Sequence, residues 1–213
     1  MPYVCNNEWY PMDYVSNLFL IFAVIDPIGS IPVYLEATKK FDPVEKRKIA
    51  IRASLIAFGI LLFFIVIGQI ILESMSVSLD AFQISGGVIL FLFALTMIFG
   101  EGKPEREKNN ISDYRQVTIF PIAIPSIASP GAIMAVVLLT DNHIYNLQQQ
   151  IITTAEVLAI VGVTCLLLLF ANTLQKQIGN YGIMVISKVM GLILASYAIQ
   201  SILSGITNYI VKL

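Results

Sequence analysis

The residues in this chain whose types and spacing could do chemistry lie in the middle of apolar runs. Asp26 belongs to the stretch Asp26-Pro27-Ile28-Gly29-Ser30-Ile31-Pro32, inside an apolar run from about Tyr14 to Glu36. A carboxylate at that depth can balance an ammonium group or carry a proton. It costs about 2.5–3.5 kcal/mol on insertion scales, so such acids face protein-lined cavities. Ser30 and Ser129 offer hydroxyls that either bind a solute or ion, or cap and pack helices. Gly29 and Gly131 either let a solute approach backbone amides or serve a tight bend. For Asp26 the structural alternative is an N-cap that only satisfies the backbone.

Broken helices must position these groups. Pro27 has no N–H and disfavours continuation of the preceding helix. Asp before Pro also starts a new helix, with Asp as N-cap and Pro at its first position. The run therefore reads as two half-helices meeting near the bilayer midplane. The competing reading ends the first helix at Ile25 and puts Asp26-Pro27 in an interfacial turn. Pro125-Ser126-Ile127-Ala128-Ser129-Pro130-Gly131 has the same character. Pro27, Pro32, Pro125 and Pro130 are the expected helix-break residues. Two new helix N-termini near the midplane would present free N–H groups and positive dipole ends, a ready site for an anion.

The 213 residues are 57% hydrophobic and 13% charged, with mean hydropathy +0.80. That composition belongs to a polytopic, all-α membrane protein. A net charge of −1 gives no reason to expect nucleic acid. Cys5 and Cys165 lie in an N-terminal tail and an apolar run, so no disulfide framework is expected. His143, alone in a loop, cannot build a metal site. No cofactor, metal or catalytic constellation is expected, which argues against an enzyme. Residues 1–13 hold no Lys or Arg, so they do not read as a secretory signal. Trp9, Tyr10 and Tyr14 resemble interfacial aromatics.

Six spans are expected, approximately over 14–36, 49–72, 80–100, 117–140, 151–172 and 184–205, each long enough to cross with some tilt. Lys39, Lys40, Lys46, Arg47, Lys48 and Arg52 fall between or beside spans one and two. Lys103, Arg106, Lys108 and Arg115 fall between spans three and four, and Lys176 and Lys188 near span six. All but Lys212 of the 13 Lys and Arg residues thus lie on one side. The positive-inside rule makes that side the cytoplasm and puts both termini outside.

The loop 101–116 divides one transmembrane domain into halves, 14–100 and 117–205. At a shift of 103 residues, Asp26-Pro27 falls on Ser129-Pro130 and Gln69 on Asn172. At 104, Gly87-Val88-Ile89-Leu90 falls on Gly191-Leu192-Ile193-Leu194, Ala94 on Ala198 and Ile98 on Ile202. Two three-span halves must have opposite orientation, which predicts inverted repeats with spans one and four broken. Gln83, Ser85 and Thr96 in span three and Gln200 in span six either line the pathway or tie helices together. Gly86, Gly87, Gly191 and Ala195 read as close-crossing positions. Glu156 and Lys188 are placed near opposite membrane faces.

With these residues in view, the chain resembles the MarC family, grouped with small neutral amino acid transporters and the LysE-type exporter superfamily. The resemblance rests on Asp26-Pro27-Ile28-Gly29-Ser30-Ile31-Pro32-Val33 and on Ala81-Phe82-Gln83-Ile84-Ser85-Gly86-Gly87. It is reinforced by Pro121 to Gly131 in span four and by Gly191-Leu192-Ile193-Leu194-Ala195. It covers about residues 14 to 205. Ser129 departs from the Gly usual there, and the first dozen residues look like an extension, with Met12 as an alternative start. The resemblance implies a prokaryotic plasma-membrane transporter of small neutral amino acids such as alanine or glycine, working by alternating access. A proton or Na+ could be the coupling ion. An accessory or scaffold membrane protein, and an exporter of another small solute or ion, are the alternatives.

Overall fold

The computed structural model describes residues 14–99 and 114–211. The expectations for Cys5, Trp9, Tyr10, Met12, Lys103, Arg106, Lys108, Lys212 and most of loop 101–116 lie outside those residues. Among the described residues the fold is entirely helical: α1 (Tyr14–Ile25), α2 (Ser30–Ala37), α3 (Pro43–Ser74) and α4 (Leu79–Phe99) come first. A short α5 (Tyr114–Val117) then leads into a wide-turn stretch, Thr118–Ile127. Next come α6 (Pro130–Leu139), α7 (Leu147–Leu169) and α8 (Ala171–Val211). Five segments are long and apolar enough to cross a membrane, and the bent pair Tyr114–Ile127 with Pro130–Leu139 makes six.

Several helices start earlier than hydropathy alone suggests. Asp42 accepts from the Glu45 N–H while the Glu45 side chain accepts from the Asp42 N–H, and Pro43 follows the cap. This reciprocal box, with Pro at the first helical position, starts α3 at Pro43 instead of 49. Asn146 and Gln149 form the same box and start α7 at Leu147 instead of 151. In α8, Gly179 adopts φ 73, a left-handed conformation that glycine takes without a Cβ penalty. The chain turns there, and the apolar crossing resumes at Tyr181.

The broken spans occupy the middle of the bundle. Of the most apolar window in Tyr14–Ala37, 67% is buried, against 22% in Pro43–Ser74 and 28% in Leu79–Phe99. Most of α6 is buried, including Gly131, Ala132, Met134 to Val137 and Leu139. The remaining helices surround this centre and turn apolar faces outward, as lipid-facing helices do.

α4 and α8 pack antiparallel along their length. A Cβ on Gly87 would lie 3.0 Å from the Ala198 carbonyl oxygen and 2.6 Å from Ile202. A Cβ on Gly191 would lie 3.1 Å from the Ala94 carbonyl oxygen and 3.0 Å from Ile98. The two contacts are reciprocal: Gly87 meets Ala198 and Ile202, seven and eleven residues after Gly191, and Gly191 meets Ala94 and Ile98, seven and eleven residues after Gly87. Small residues let the backbones close to this distance, where van der Waals packing replaces the missing hydrophobic drive. Gln69 and Asn172 share no such reciprocity. Gln69 is buried and accepts from the Asn142 N–H at 2.7 Å, whereas Asn172 is exposed.

Candidate functional site

The first break is built on Asp26. Its backbone N–H completes α1 by donating to the Phe22 carbonyl at 3.0 Å. Asp26 then turns to φ 49, a left-handed conformation that Asp tolerates better than most residues. Its Oδ1 accepts from the Gly29 N–H at 2.9 Å, the three-residue reach of an N-cap. Regular helix begins only at Ser30, later than a cap at Asp26 with Pro27 at the first helical position would give. Pro27 to Gly29 form the intervening turn. A Cβ on Gly29 would collide with the Asp26 carboxylate, whose Cγ would be 2.6 Å away. A side chain at position 29 would therefore force the Asp26 carboxylate to shift.

The second break is built on Ser129, at φ −70 and ψ 156. Its Oγ accepts from the Ala132 N–H at 3.0 Å, the same three-residue reach, and Pro130 takes the first helical position. Its preceding half is not the regular helix expected. Phe120 and Ile124 are extended, each immediately before a proline, Pro121 and Pro125. The ring of a proline forces the residue before it out of helical geometry, so two prolines four apart keep the stretch wide. The Ala128 N–H donates back five residues to the Ala123 carbonyl. The axis bends by 55° between the halves.

The two breaks touch. Ser129 Oγ donates to the Val24 carbonyl at 3.0 Å, satisfying one of the carbonyls left open at the end of α1. Ser126 Oγ donates to Ser30 Oγ at 3.0 Å, and Ser30 Oγ in turn donates to the Asp26 carbonyl at 3.0 Å. The Ser126 carbonyl lies farther, 3.4 Å from Ser30 Oγ. Asp26 is 3% exposed, Ser30 and Ser126 1% and Ser129 0%. A carboxylate, three hydroxyls, the turn that Asp26 closes before α2 and the capped start of α6 thus form one polar cluster sealed in the bundle centre. Ser126 belongs to it, although the sequence reading gave it no role beyond the motif.

Other expected residues fall elsewhere. Pro32 sits in the first turn of α2 and breaks nothing, because that position needs no N–H partner. Pro125 lies inside the wide stretch and Pro130 opens α6, and both residues are exposed. Gly131 faces α4: a Cβ there would lie 2.6 Å from Leu90, so its missing side chain makes room for that packing. Gly86 likewise makes room for Met134 of α6. Ser85 and Thr96 are exposed and donate to their own helix, to the Phe82 carbonyl at 3.0 Å and the Phe93 carbonyl at 2.7 Å. Gln200 is exposed and Gln83 partly so. These side chains lie outside the polar cluster. An apolar groove between α1 and α8, lined by Phe19, Ala23, Met190, Ile193 and Tyr197, is also separate from it.

The bundle ends are tied down. At one end Tyr34 donates to the Lys46 carbonyl at 2.9 Å, and the Arg52 and Arg115 guanidiniums lie over the Tyr114 ring. At the other, the turn after α6 is held by Gln69 on Asn142 and by His143 beside Glu73 at 3.3 Å. Burial, and then the nearby Asp141 carboxylate, hold the Tyr145 phenol there above its ordinary range. No group of three or more metal-ligating side chains occurs among the described residues.

Comparison with known proteins adds one consistent finding. The model of the MarC family integral membrane proteins matches residues 12–210. The UPF0056 membrane protein MJ1677 of Methanocaldococcus jannaschii is 32% identical over 189 residues, covering 87% of this chain and 92% of its own. The UPF0056 inner membrane protein YhgN of Escherichia coli is 33% identical over 192 residues, covering 90% and 95%. A UPF0056 membrane protein of Pyrococcus abyssi is 31% identical over 186 residues, covering 87% and 90%. No solved structure matches.

Proposed function

This chain belongs to the MarC family of integral membrane proteins, and from that premise we propose that it transports small neutral amino acids, such as alanine or glycine, by alternating access. The observation that carries the reading is the sealed polar cluster where the two breaks meet. A scaffold has no use for irregular backbone and a carboxylate at that depth, because every such group must be satisfied inside the protein. A zwitterion fits both halves of the chemistry. Its ammonium pairs with Asp26, and its carboxylate takes hydrogen bonds that Ser30, Ser126 and Ser129 now give one another and the backbone. The starts of α2 and α6 add favourable dipole ends. Binding exchanges internal hydrogen bonds for substrate bonds, which keeps the cost of opening small.

Two inverted three-helix repeats supply the motion in this reading. The reciprocal Gly87 and Gly191 contacts support it, as does the equal cap spacing at the two breaks. The repeats rock about the central cluster and expose it to each side in turn. The basic loops mark the cytoplasmic side, so both termini face outward across the plasma membrane of a prokaryote. A proton or Na+ drives the cycle.

The test is uptake and counterflow of labelled alanine and glycine in proteoliposomes, comparing wild type with Asp26→Asn. Saturable flux in wild type, reduced at least tenfold in a folded Asp26→Asn protein, is expected. Wild-type turnover in that variant removes Asp26 from the site. No flux from folded wild type overturns the amino acid reading.

A further inference from the structure

Four buried polar side-chain atoms lack a hydrogen-bond partner among the described residues: Asn17 Nδ2, Ser54 Oγ, Thr153 Oγ1 and Glu156 Oε2. Thr153 and Glu156 are on α7, Asn17 is on α1 and Ser54 on α3, and both α1 and α3 pack against α7. Two of the four orphaned groups therefore sit on one helix, α7. Thr153 and Glu156 stand three residues apart and share a face. Thr153 is 0% exposed, and its hydroxyl does not donate to its own helix, as those of Thr154 and Thr164 do.

The sequence placed Glu156 near a membrane face. With α7 starting at Leu147, it lies nine residues in. That is about 13 Å along the axis, within about 4 Å of the helix midpoint at 1.5 Å per residue. It is an acid near the middle of a helix long and apolar enough to cross a membrane, and it is only partly exposed.

Nothing on the neighbouring elements neutralises it. α1 and α6 carry no charged side chain. On α2, Glu36 is bound to Lys39 and Tyr34 to the Lys46 carbonyl. The charges of α3 lie at its ends, from Glu45 to Arg52 and at Glu73. On α8, Lys176 and Lys188 form no pair with Glu156, and neither Tyr181, Tyr197 nor Tyr209 bonds to it. Asp26 holds the Gly29 N–H. An ionised carboxylate with an open oxygen in this setting is strongly disfavoured. A metal cation would need several converging oxygens, and α7 is an unbroken helix that releases no carbonyls. A proton needs only the carboxylate.

We propose that Glu156, with Thr153 one turn above it, is the proton-carrying site of this protein, separate from the substrate cluster at Asp26. The carboxyl, partly exposed but with Oε2 buried and unpartnered, is protonated in the state described here, its O–H bond forming as a proton is taken from water on one side. The bond breaks, and the proton returns to water on the other side, when the α7 interfaces open. The proposal rests on the transport reading only for its role in driving uptake; the proton site itself stands without it.

The experiment has two arms on full-length protein in liposomes. The first is infrared difference spectroscopy across a pH titration, reading the C=O stretch of a protonated carboxylic acid. The band is expected in wild type and Asp26→Asn, lost in Glu156→Gln, and present but shifted in Glu156→Asp. A band that persists unchanged in Glu156→Gln, or is absent from wild type, overturns the proposal. The second arm is alanine uptake with and without an inward proton gradient. The ratio of the two falls to about one in Glu156→Gln and recovers in part in Glu156→Asp. An undiminished ratio in Glu156→Gln overturns the coupling role. A band with the expected behaviour in a protein that moves no alanine upholds the proton site and overturns the transport reading.

Discussion

The two mid-membrane breaks solve the same backbone problem with different chemistry. Asp26 receives the Gly29 N–H and Ser129 receives the Ala132 N–H, each across three residues and each followed by proline. The first break lets α1 and α2 run on as one crossing, Tyr14–Ala37; the second follows a wide stretch and bends by 55°. Capping needs only an acceptor oxygen, and a serine hydroxyl supplies one at 0% exposure without a charge. The first break uses a carboxylate for the same reach, and a carboxylate costs more to bury than a hydroxyl. That difference in cost is the reason the proposed function gives Asp26 a task beyond holding the turn. The second break, neutral and hydrogen-bonded to Val24, reads as the structural counterpart that closes the cluster.

This contrast can be broken most severely at Gly29. Gly29→Val drives a branched side chain into the Asp26 carboxylate, so transport is abolished and thermal unfolding shifts to lower temperature. Retained flux would show that the carboxylate is free to move away. Making the two breaks alike is the next test. Asp26→Ser keeps a cap oxygen but removes the charge, so flux falls at least tenfold while stability changes by only about 1 kcal/mol. A large loss of stability with flux per folded molecule intact would reverse the assignment.

The reciprocity extends to α4 and α8. Gly87→Ala and Gly191→Ala each press a methyl group on a carbonyl and an isoleucine, and each costs about 1–3 kcal/mol. Unequal losses in detergent unfolding would argue against equivalent environments. Ser129→Ala removes the second cap and the bond to Val24, costing about 1–2 kcal/mol, with a flux loss smaller than that of Asp26→Ser. The least effect is expected from Ser85→Ala and Thr96→Val, which face outward and bond only their own helix. Changes within about 0.5 kcal/mol and near-normal flux would place them outside the pathway.

Apolar length and charge placement made the crossings legible in the sequence, and Asp-Pro and Ser-Pro marked where two of them break. The cap boxes at Asp42 and Asn146 were equally legible. Because they stand in polar flanks that hydropathy treats as loop, apolar length alone makes α3 and α7 too short. That shortening hid the depth of Glu156. The wide first half of span four was foreshadowed by Pro121 and Pro125, but proline spacing does not reveal whether a span kinks once or stays unwound. Which polar residues of α4 face the centre was not legible. The helix is apolar all round, so no stripe distinguishes its faces. Ser126 shows the remaining gap: its partner Ser30 is 96 residues away, a contact that only the packed breaks create.

Cysteine protection tests most directly whether the touching breaks hold the substrate. With Cys5 and Cys165 replaced by serine, Ser30→Cys, Ser126→Cys and Ser85→Cys proteins in liposomes are labelled with a membrane-permeant maleimide, with and without alanine. The account predicts slow labelling at positions 30 and 126 that alanine slows further, and labelling at 85 that alanine leaves unchanged. Equal rates with and without alanine at positions 30 and 126, in a protein that still transports alanine, would contradict it.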